Sequence, residues 1–269
     1  MNFQPLDVEL AAIDLQPVTI DHITIKVPDM ERSSRFYQDV LGMPLLRTLP
    51  DTHYLGVGNS FMGIQPSGSH RAAIDHFCLG LKNFDAMSIV TMLAQKGIAI
   101  KGEASVDALR FIDPDGLIVQ LSTTDHARKN IYQDEASRLT AEQAASDLQP
   151  VTLDHFTIVA PDLERSSRFF QDVLGIPLLR ALPDTHYLGV GNSFLGIQPS
   201  SSHPACIDHF CLGLKNFDAN GIVARLAQKG IAIEGEAGVD SVRFFDPDGL
   251  LVQLSSPDYA RKQTYRVGM

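Results

Sequence analysis

Hydrophobic and polar positions along the first quarter of the chain change period in a fixed order. From Val18 to Val27 (VTIDHITIKV) apolar and polar residues alternate, the two-residue period of a half-buried strand. Asp29 then precedes MERSSRFYQDVLG, in which Phe36, Val40 and Leu41 fall on one helical face and Gly42 supplies the stop. Three short strands are expected next, at Pro44–Leu49, His53–Val57 and Ser60–Gln65, with Pro50-Asp51 and Gly58-Asn59 as the turns between them. The order is βαβββ. It recurs at once: a strand at Ile74–Leu81, a helix from Phe84 to Lys96 stopped by Gly97, and strands near Ile98, at Val106–Ile112 and at Leu117–Ser122, with Asp113-Pro114-Asp115-Gly116 as a strong turn signal.

The pattern then repeats as a whole. Asp14 to Tyr132 matches Asp147 to Tyr265 without a gap, with roughly three quarters of the positions identical, which is the mark of a recent tandem duplication. Residues 133–146 (QDEASRLTAEQAAS) are polar and alanine-rich and read as a linker, with the boundary near residue 140. Each half carries a weaker repeat of its own, because Ile20-Asp21-His22, Ile74-Asp75-His76, Leu153-Asp154-His155 and Ile207-Asp208-His209 each open a segment. The expected organisation is four βαβββ modules in two domains, 14–132 and 147–265.

With 44% hydrophobic residues the chain can fill one or two ordinary cores. No apolar run approaches the ~20 residues of a membrane span, and Met1-Asn2-Phe3-Gln4-Pro5 lacks a basic-then-apolar export pattern. Cys78, Cys206 and Cys211 make no even disulfide framework, so a reducing cytoplasm is expected. A net charge of −10 and the lack of a basic cluster argue against nucleic acid or anionic membrane as partners. A small-molecule substrate or ligand is the expected partner.

The candidate chemistry lies on the first and last strand of each module. His22, His76, His155 and His209 recur on first strands, and Gln65, Gln120, Gln198 and Gln253 on last strands at nearly the same separation. A lone strand histidine is ordinarily a hydrogen-bonded core group. Recurrence in modules that otherwise differ almost everywhere points instead to a pocket. Alternation puts His22 on the face of Ile20 and Thr24, away from Asp21 and Ile23. If paired modules curl their sheets into a cup, two imidazoles and two amide oxygens converge, a donor set for a divalent cation. His53 and His186, in THYLGVGN beside Tyr54 and Tyr187, are candidate acid/base groups, and Arg110 and Arg243, before the Asp-Pro-Asp-Gly turns, are candidates to clamp an anionic substrate. Cys78 and Cys211 read as buried inert thiols, and His70 and His203 as solvated loop residues.

DHITIKVPDMERSSRFYQDVLGMPLL resembles the opening strand and helix, and FIDPDGLIVQLS the closing hairpin, of the vicinal-oxygen-chelate superfamily, which includes glyoxalase I, methylmalonyl-CoA epimerase, extradiol dioxygenases and bleomycin or fosfomycin resistance proteins. The resemblance covers nearly the whole chain. It implies an α+β fold of four βαβββ modules paired into two cup-shaped open β-barrels. It also implies metal-ligand positions at His22, Gln65, His76 and Gln120, and at His155, Gln198, His209 and Gln253. The family's closing strand usually carries a glutamate where this chain has Gln120 and Gln253; an amide cannot take a proton from substrate, and it binds a hard cation less well than a carboxylate.

The resulting expectation is an enzyme using a divalent ion (Fe, Mn, Ni or Zn) to chelate vicinal oxygens of a small substrate, with glyoxalase-type lyase or isomerase chemistry first and extradiol-type dioxygenase chemistry second. A metal-free protein that binds an antibiotic or aromatic ligand is the competing class. Cups can form within a half or across halves, so a monomer that is its own pseudo-dimer and a homodimer are both compatible with the sequence.

Overall fold

A computed structural model describes residues 15–132, 148–200 and 203–264. The linker expected at 133–146 lies outside the described residues, as do Asp14, Asp147 and Tyr265 at the ends of the two repeats. The first half runs β1 (Pro17–Val27), α1 (Met30–Leu41), β2 (Leu45–Leu49), β3 (Thr52–Val57), β4 (Ser60–Pro66), β5 (Ala73–Leu81), α2 (Ala86–Gln95), β6 (Ala108–Ile112), β7 (Ile118–Thr123) and α3 (His126–Asn130). The second half repeats it as β8 (Pro150–Ala160), α4 (Leu163–Leu174), β9 (Leu178–Leu182), β10 (Thr185–Val190), β11 (Ser193–Pro199), β12 (Cys206–Leu214), α5 (Ala219–Gln228), β13 (Ser241–Phe245), β14 (Leu251–Ser255) and α6 (Tyr259–Thr264).

The helix boundaries have local causes. The carboxylate of Asp29 accepts from the Arg32 amide at 3.0 Å, and Gly42, at φ 63°, closes α1 by donating its N–H to Gln38. Asp85 caps α2 in the same way through Ser88. The strand expected near Ile98 is reduced to a single bridge between Ile100 and Phe111, because Gly97 and Gly102 bracket it at positive φ and turn the chain away.

Each half forms an open sheet, in the first half β2-β3-β4-β1-β5-β7-β6. Strand β1 runs parallel to β4 and antiparallel to β5, and β5 runs parallel to β7, so two modules of one half join edge to edge through their first strands. The halves meet where Ile74 of β5 pairs Ile207 of β12, making one fourteen-stranded sheet that does not close.

Helices cross between the halves. Ile23, Ile25 and Val27 of β1, Phe77 and Leu79 of β5 and Tyr37 and Leu41 of α1 belong to a core continuous with the other half, in which the Phe77 and Phe156 rings stack 4.1 Å apart. Tyr37 donates to Asp246 of the far turn at 2.7 Å, and Arg32 and Ser33 bind Asp248; reciprocally, Arg165 and Ser166 of α4 bind Asp115. The β3–β4 turn also crosses: a Cβ on Gly58 would stand 2.0 Å from the Val151 carbonyl oxygen, and one on Gly191 2.0 Å from that of Val18.

Candidate metal centre in each cup

The Ile/Leu-Asp-His tripeptides are β-bulges. Along β1 and β5 the pairing jumps from Ile20–Leu79 to His22–Cys78, and from Ile25–Ile74 to Thr24–His76, leaving Asp21 and Asp75 as the extra residues. Asp154 and Asp208 hold the same place on β8 and β12. Strict alternation, which sent Asp21 to the opposite face from His22, fails here: the bulge lets both turn to one side while Ile20 and Ile23 both reach the core.

Each aspartate then holds its neighbouring imidazole. Asp21 Oδ1 lies 2.6 Å from His22 Nδ1, Asp75 Oδ2 2.8 Å from His76 Nδ1, and Asp154 and Asp208 each 2.7 Å from the Nδ1 of His155 and His209. A carboxylate on Nδ1 selects the tautomer that keeps the Nε2 lone pair free, the orientation used by carboxylate–histidine–metal triads. Burial holds His22 well below the usual imidazole range and brings His76 and His155 to about 4, so these three rings are neutral near pH 7. For Asp75, burial is opposed and outweighed by the hydrogen bonds from His76 and Lys26, which bring it to about 2. Asp21 is raised by burial to about 6.

The two imidazoles of a half come together. His22 and His76 stand edge to face with ring centres 5.6 Å apart, and His155 and His209 repeat this at 5.6 Å. The cup is therefore assembled within a half. Gln120, directly across from Cys78 on β7, joins the pair, as does Gln253 across from Cys211. Ligand atoms of Asp21, His22 and His126 all lie within 4.8 Å of one another, as do those of Asp154, His155 and Cys211. Cys78 and Cys211 are buried, their thiols bonded to Ser122 and Ser255 and pushed well up by burial.

Gln65 and Gln198 stand elsewhere. Gln65 lies opposite Lys26, and its amide contacts Thr52 Oγ1 at 3.2 Å; the position on β4 matching Gln120 is Gly63, opposite Thr24. Similar spacing along the chain misled because the segments between first and last strands differ between modules. Gln198 repeats the displacement, next to Thr185. His53 and His186 lie on the helix side of the sheet: His53 Nε2 is 3.9 Å from Glu31 of α1, His186 Nε2 is 3.5 Å from Glu164 of α4, and the Nδ1 of each is buried with no hydrogen-bond partner among the described residues. These residues do not enter the cups. Arg110 and Arg243 do, each directly across the hairpin from the cup glutamine. Arg110 Nε donates to Gln120 Oε1 at 2.7 Å and Nη2 lies 3.4 Å from His76 Nε2; Arg243 Nε donates to Gln253 Oε1 at 3.0 Å.

Sequence reasoning missed what covers the cup. Helix α3 lays His126 over His22 (5.8 Å, 28°), whose other face stacks on Phe61 at 4.2 Å, and Asp21 Oδ2 accepts from the Ala127 amide. Phe61, Ala127, Ile131 and Tyr132, with Leu46 and Tyr54, form a small apolar cluster there. In the second cup Tyr259 takes the place of His126, 5.5 Å from His155. The Asp125-to-Lys129 pairing at helical spacing was the available sequence signal. A cavity of about 730 Å³ opens beside this cover, between Tyr132 and Val151.

Paired βαβββ modules, with carboxylate-held imidazoles on the first strands and an amide on a closing strand, define a cup protein of four-module type with a candidate donor set in each cup. The family model of the Glyoxalase/Bleomycin resistance protein/Dioxygenase superfamily matches residues 19–121 and 152–254, and the chain belongs to that superfamily. It is 24% identical over 230 residues to a probable chloroplastic lactoylglutathione lyase of Arabidopsis thaliana; the match takes in 77% of this chain and spans 58% of the relative's length. Among solved structures it resembles homoprotocatechuate 2,3-dioxygenase from Arthrobacter globiformis (TM-score 0.73, 19% identity, 90% of this chain and 80% of that one) and the Mn(II)-bound glyoxalase from Novosphingobium aromaticivorans (TM-score 0.69, 21% identity, 90% and 83%).

Proposed function

We propose that the protein is a divalent-metal-dependent enzyme acting on a small substrate with vicinal oxygens, with lyase or isomerase chemistry of the glyoxalase kind. One observation carries this reading: each cup pairs two buried imidazoles, each with a carboxylate on Nδ1 that leaves Nε2 as the unprotonated ring nitrogen, beside one amide oxygen. That donor set fits a divalent transition-metal ion such as Zn, Ni, Mn or Fe(II). His22, His76 and Gln120 would hold it in the first cup, and His155, His209 and Gln253 in the second. The bound ion would supply Lewis-acid polarisation of the substrate oxygens. The chain's own groups do the rest. The bulge aspartates fix the rings, the α3 cluster excludes water, and Arg110 carries positive charge to the oxygen on which negative charge develops. Gln120 takes no proton, so His126, over the first cup, is the group available to move one; Tyr259 stands there in the second.

Similarity to a lactoylglutathione lyase supports lyase over dioxygenase chemistry, as does the departure of two histidines and a glutamine from the two-histidine, one-carboxylate set of extradiol sites. A metal-free ligand-binding protein is favoured by a different observation, the Arg110 guanidinium already on Gln120 and His76. Metal analysis by mass spectrometry on untagged protein, beside the His22→Ala, His155→Ala double variant, separates the two. Near-stoichiometric metal that disappears in the variant is expected. A folded protein that takes up none of Fe(II), Mn(II), Ni(II) or Zn(II) overturns the enzyme reading. Turnover of the methylglyoxal–glutathione hemithioacetal, against oxygen uptake with a catechol, then distinguishes lyase from dioxygenase.

A further inference from the structure

Resting on the metal-dependent reading above, we propose that Arg110 and Arg243 are resident cations: each holds the metal-donor atoms of its cup while the metal is absent, and is displaced by the metal to bind an anionic oxygen of the substrate. The geometry is that of a competitor. Arg110 donates through Nε to Gln120 Oε1 at 2.7 Å and lies through Nη2 3.4 Å from His76 Nε2, two of the three atoms that a cation in this cup would use. Arg243 repeats the first contact, donating to Gln253 Oε1 at 3.0 Å. A guanidinium and a divalent ion on the same acceptors repel strongly at this separation, so the two cannot share them.

The guanidinium also has no direct ion-pair partner. Among the described residues, no carboxylate lies within ion-pair distance of Arg110 or Arg243; their polar partners are an amide oxygen and, for Arg110, an imidazole, both neutral acceptors. A planar fork of donors not locked in a direct ion pair, set in a cup and directly across the hairpin from the glutamine, is a receptor for an anionic oxygen as soon as the glutamine is engaged elsewhere. The missing closing-strand carboxylate fits the same scheme. A glutamate at 120 would fix the arginine in a salt bridge, whereas an amide lets it go. The substrate class follows: a small molecule bearing two adjacent oxygens and a negative charge, such as an α-keto or α-hydroxy carboxylate.

The test compares the wild-type protein with the Arg110→Met, Arg243→Met variant and with Arg110→Lys, Arg243→Lys, which keeps the charge. Mn(II) affinity is measured by calorimetry, and pyruvate binding to the Mn(II)-loaded proteins by water-proton relaxation; thermal unfolding verifies that each variant is folded. Exchange predicts Mn(II) binding at least about tenfold tighter in the methionine variant, near wild type in the lysine variant, and pyruvate binding at least about tenfold weaker in the methionine variant despite the tighter metal. If the methionine variant does not fold, the lysine variant decides: exchange requires pyruvate binding to weaken while Mn(II) binding is kept. Mn(II) binding that is equal or weaker without the arginine overturns the exchange and leaves the metal-dependent function standing. If neither wild type nor variant binds Mn(II), Ni(II) or Zn(II), both readings fall together.

Discussion

The two copies are most informative where they differ by one atom. Tyr37 of α1 gives its hydroxyl to Asp246, but the matching residue on α4 is Phe170, and Asp113 Oδ2 is left buried with no hydrogen-bond partner among the described residues. Burial raises Asp113 to about 6 from an ordinary value of 3.8. The ionised carboxylate is therefore disfavoured in the folded state. The resulting cost is absent below pH 3.8, where both states are protonated, grows as the pH rises through about 6, and is fully present above it. Phe170→Tyr would supply the missing donor. It is expected to stabilise the protein by about 1 kcal/mol at pH 7 in urea unfolding, with a smaller gain at pH 4. A second residue-scale prediction concerns the bulge aspartates. Asp21→Asn with Asp154→Asn should leave the fold intact and weaken divalent-metal binding about 10–100-fold by calorimetry, because the imidazoles lose the carboxylates that set their tautomer.

At the scale of elements, the short helix α3 acts as a cover. It is tied down by Asp21 to the Ala127 amide, by Arg47 to the Asn130 carbonyl, and by the Tyr132 hydroxyl to the carbonyls of Gly58 and Ser60. Tyr132→Phe should release the last of these ties, weakening the cover by about 1 kcal/mol and raising amide exchange in 126–130 while β1 and β5 stay protected. Element order, caps and module repeat were legible in the sequence, because periods of two and 3.6 and glycine or aspartate punctuation arise locally. Bulges were not. Asp21 looked like an outward residue because alternation assumes that no residue is added, and only the pairing of β1 with β5 reveals the extra one. Gln65 looked equivalent to Gln120 because distance along the chain was mistaken for register, and His53 looked available because a histidine in a strand does not announce which face it takes. Of the expected site, His22, His76, Gln120 and Arg110 come together, with their counterparts in the second half; what surrounds them depends on non-local contacts.

Across the whole molecule, the crossing contacts make one body of two repeats. Gly58 and Gly191 sit at φ 57° and 59° with the other half's first strand pressed against them, so Gly58→Ala with Gly191→Ala combines a strained backbone with a clash against a carbonyl. The pair is expected to lower the midpoint of thermal unfolding by several degrees, corresponding to 2 kcal/mol or more, on the order of other strained-backbone changes. Sites far from the crossing, such as exposed Val106, should tolerate alanine with little change.

The crossing has one more consequence, which concerns symmetry. Two separate copies meeting through these faces would fall apart on dilution, and being identical they could never carry a hydroxyl on one helix and not on the other, or an imidazole over one cup and a phenol over its twin. Joined in a single chain, they stay together however scarce the protein is. Each cup can then differ from its twin while leaning on it for its core, as His126 over one and Tyr259 over the other already do.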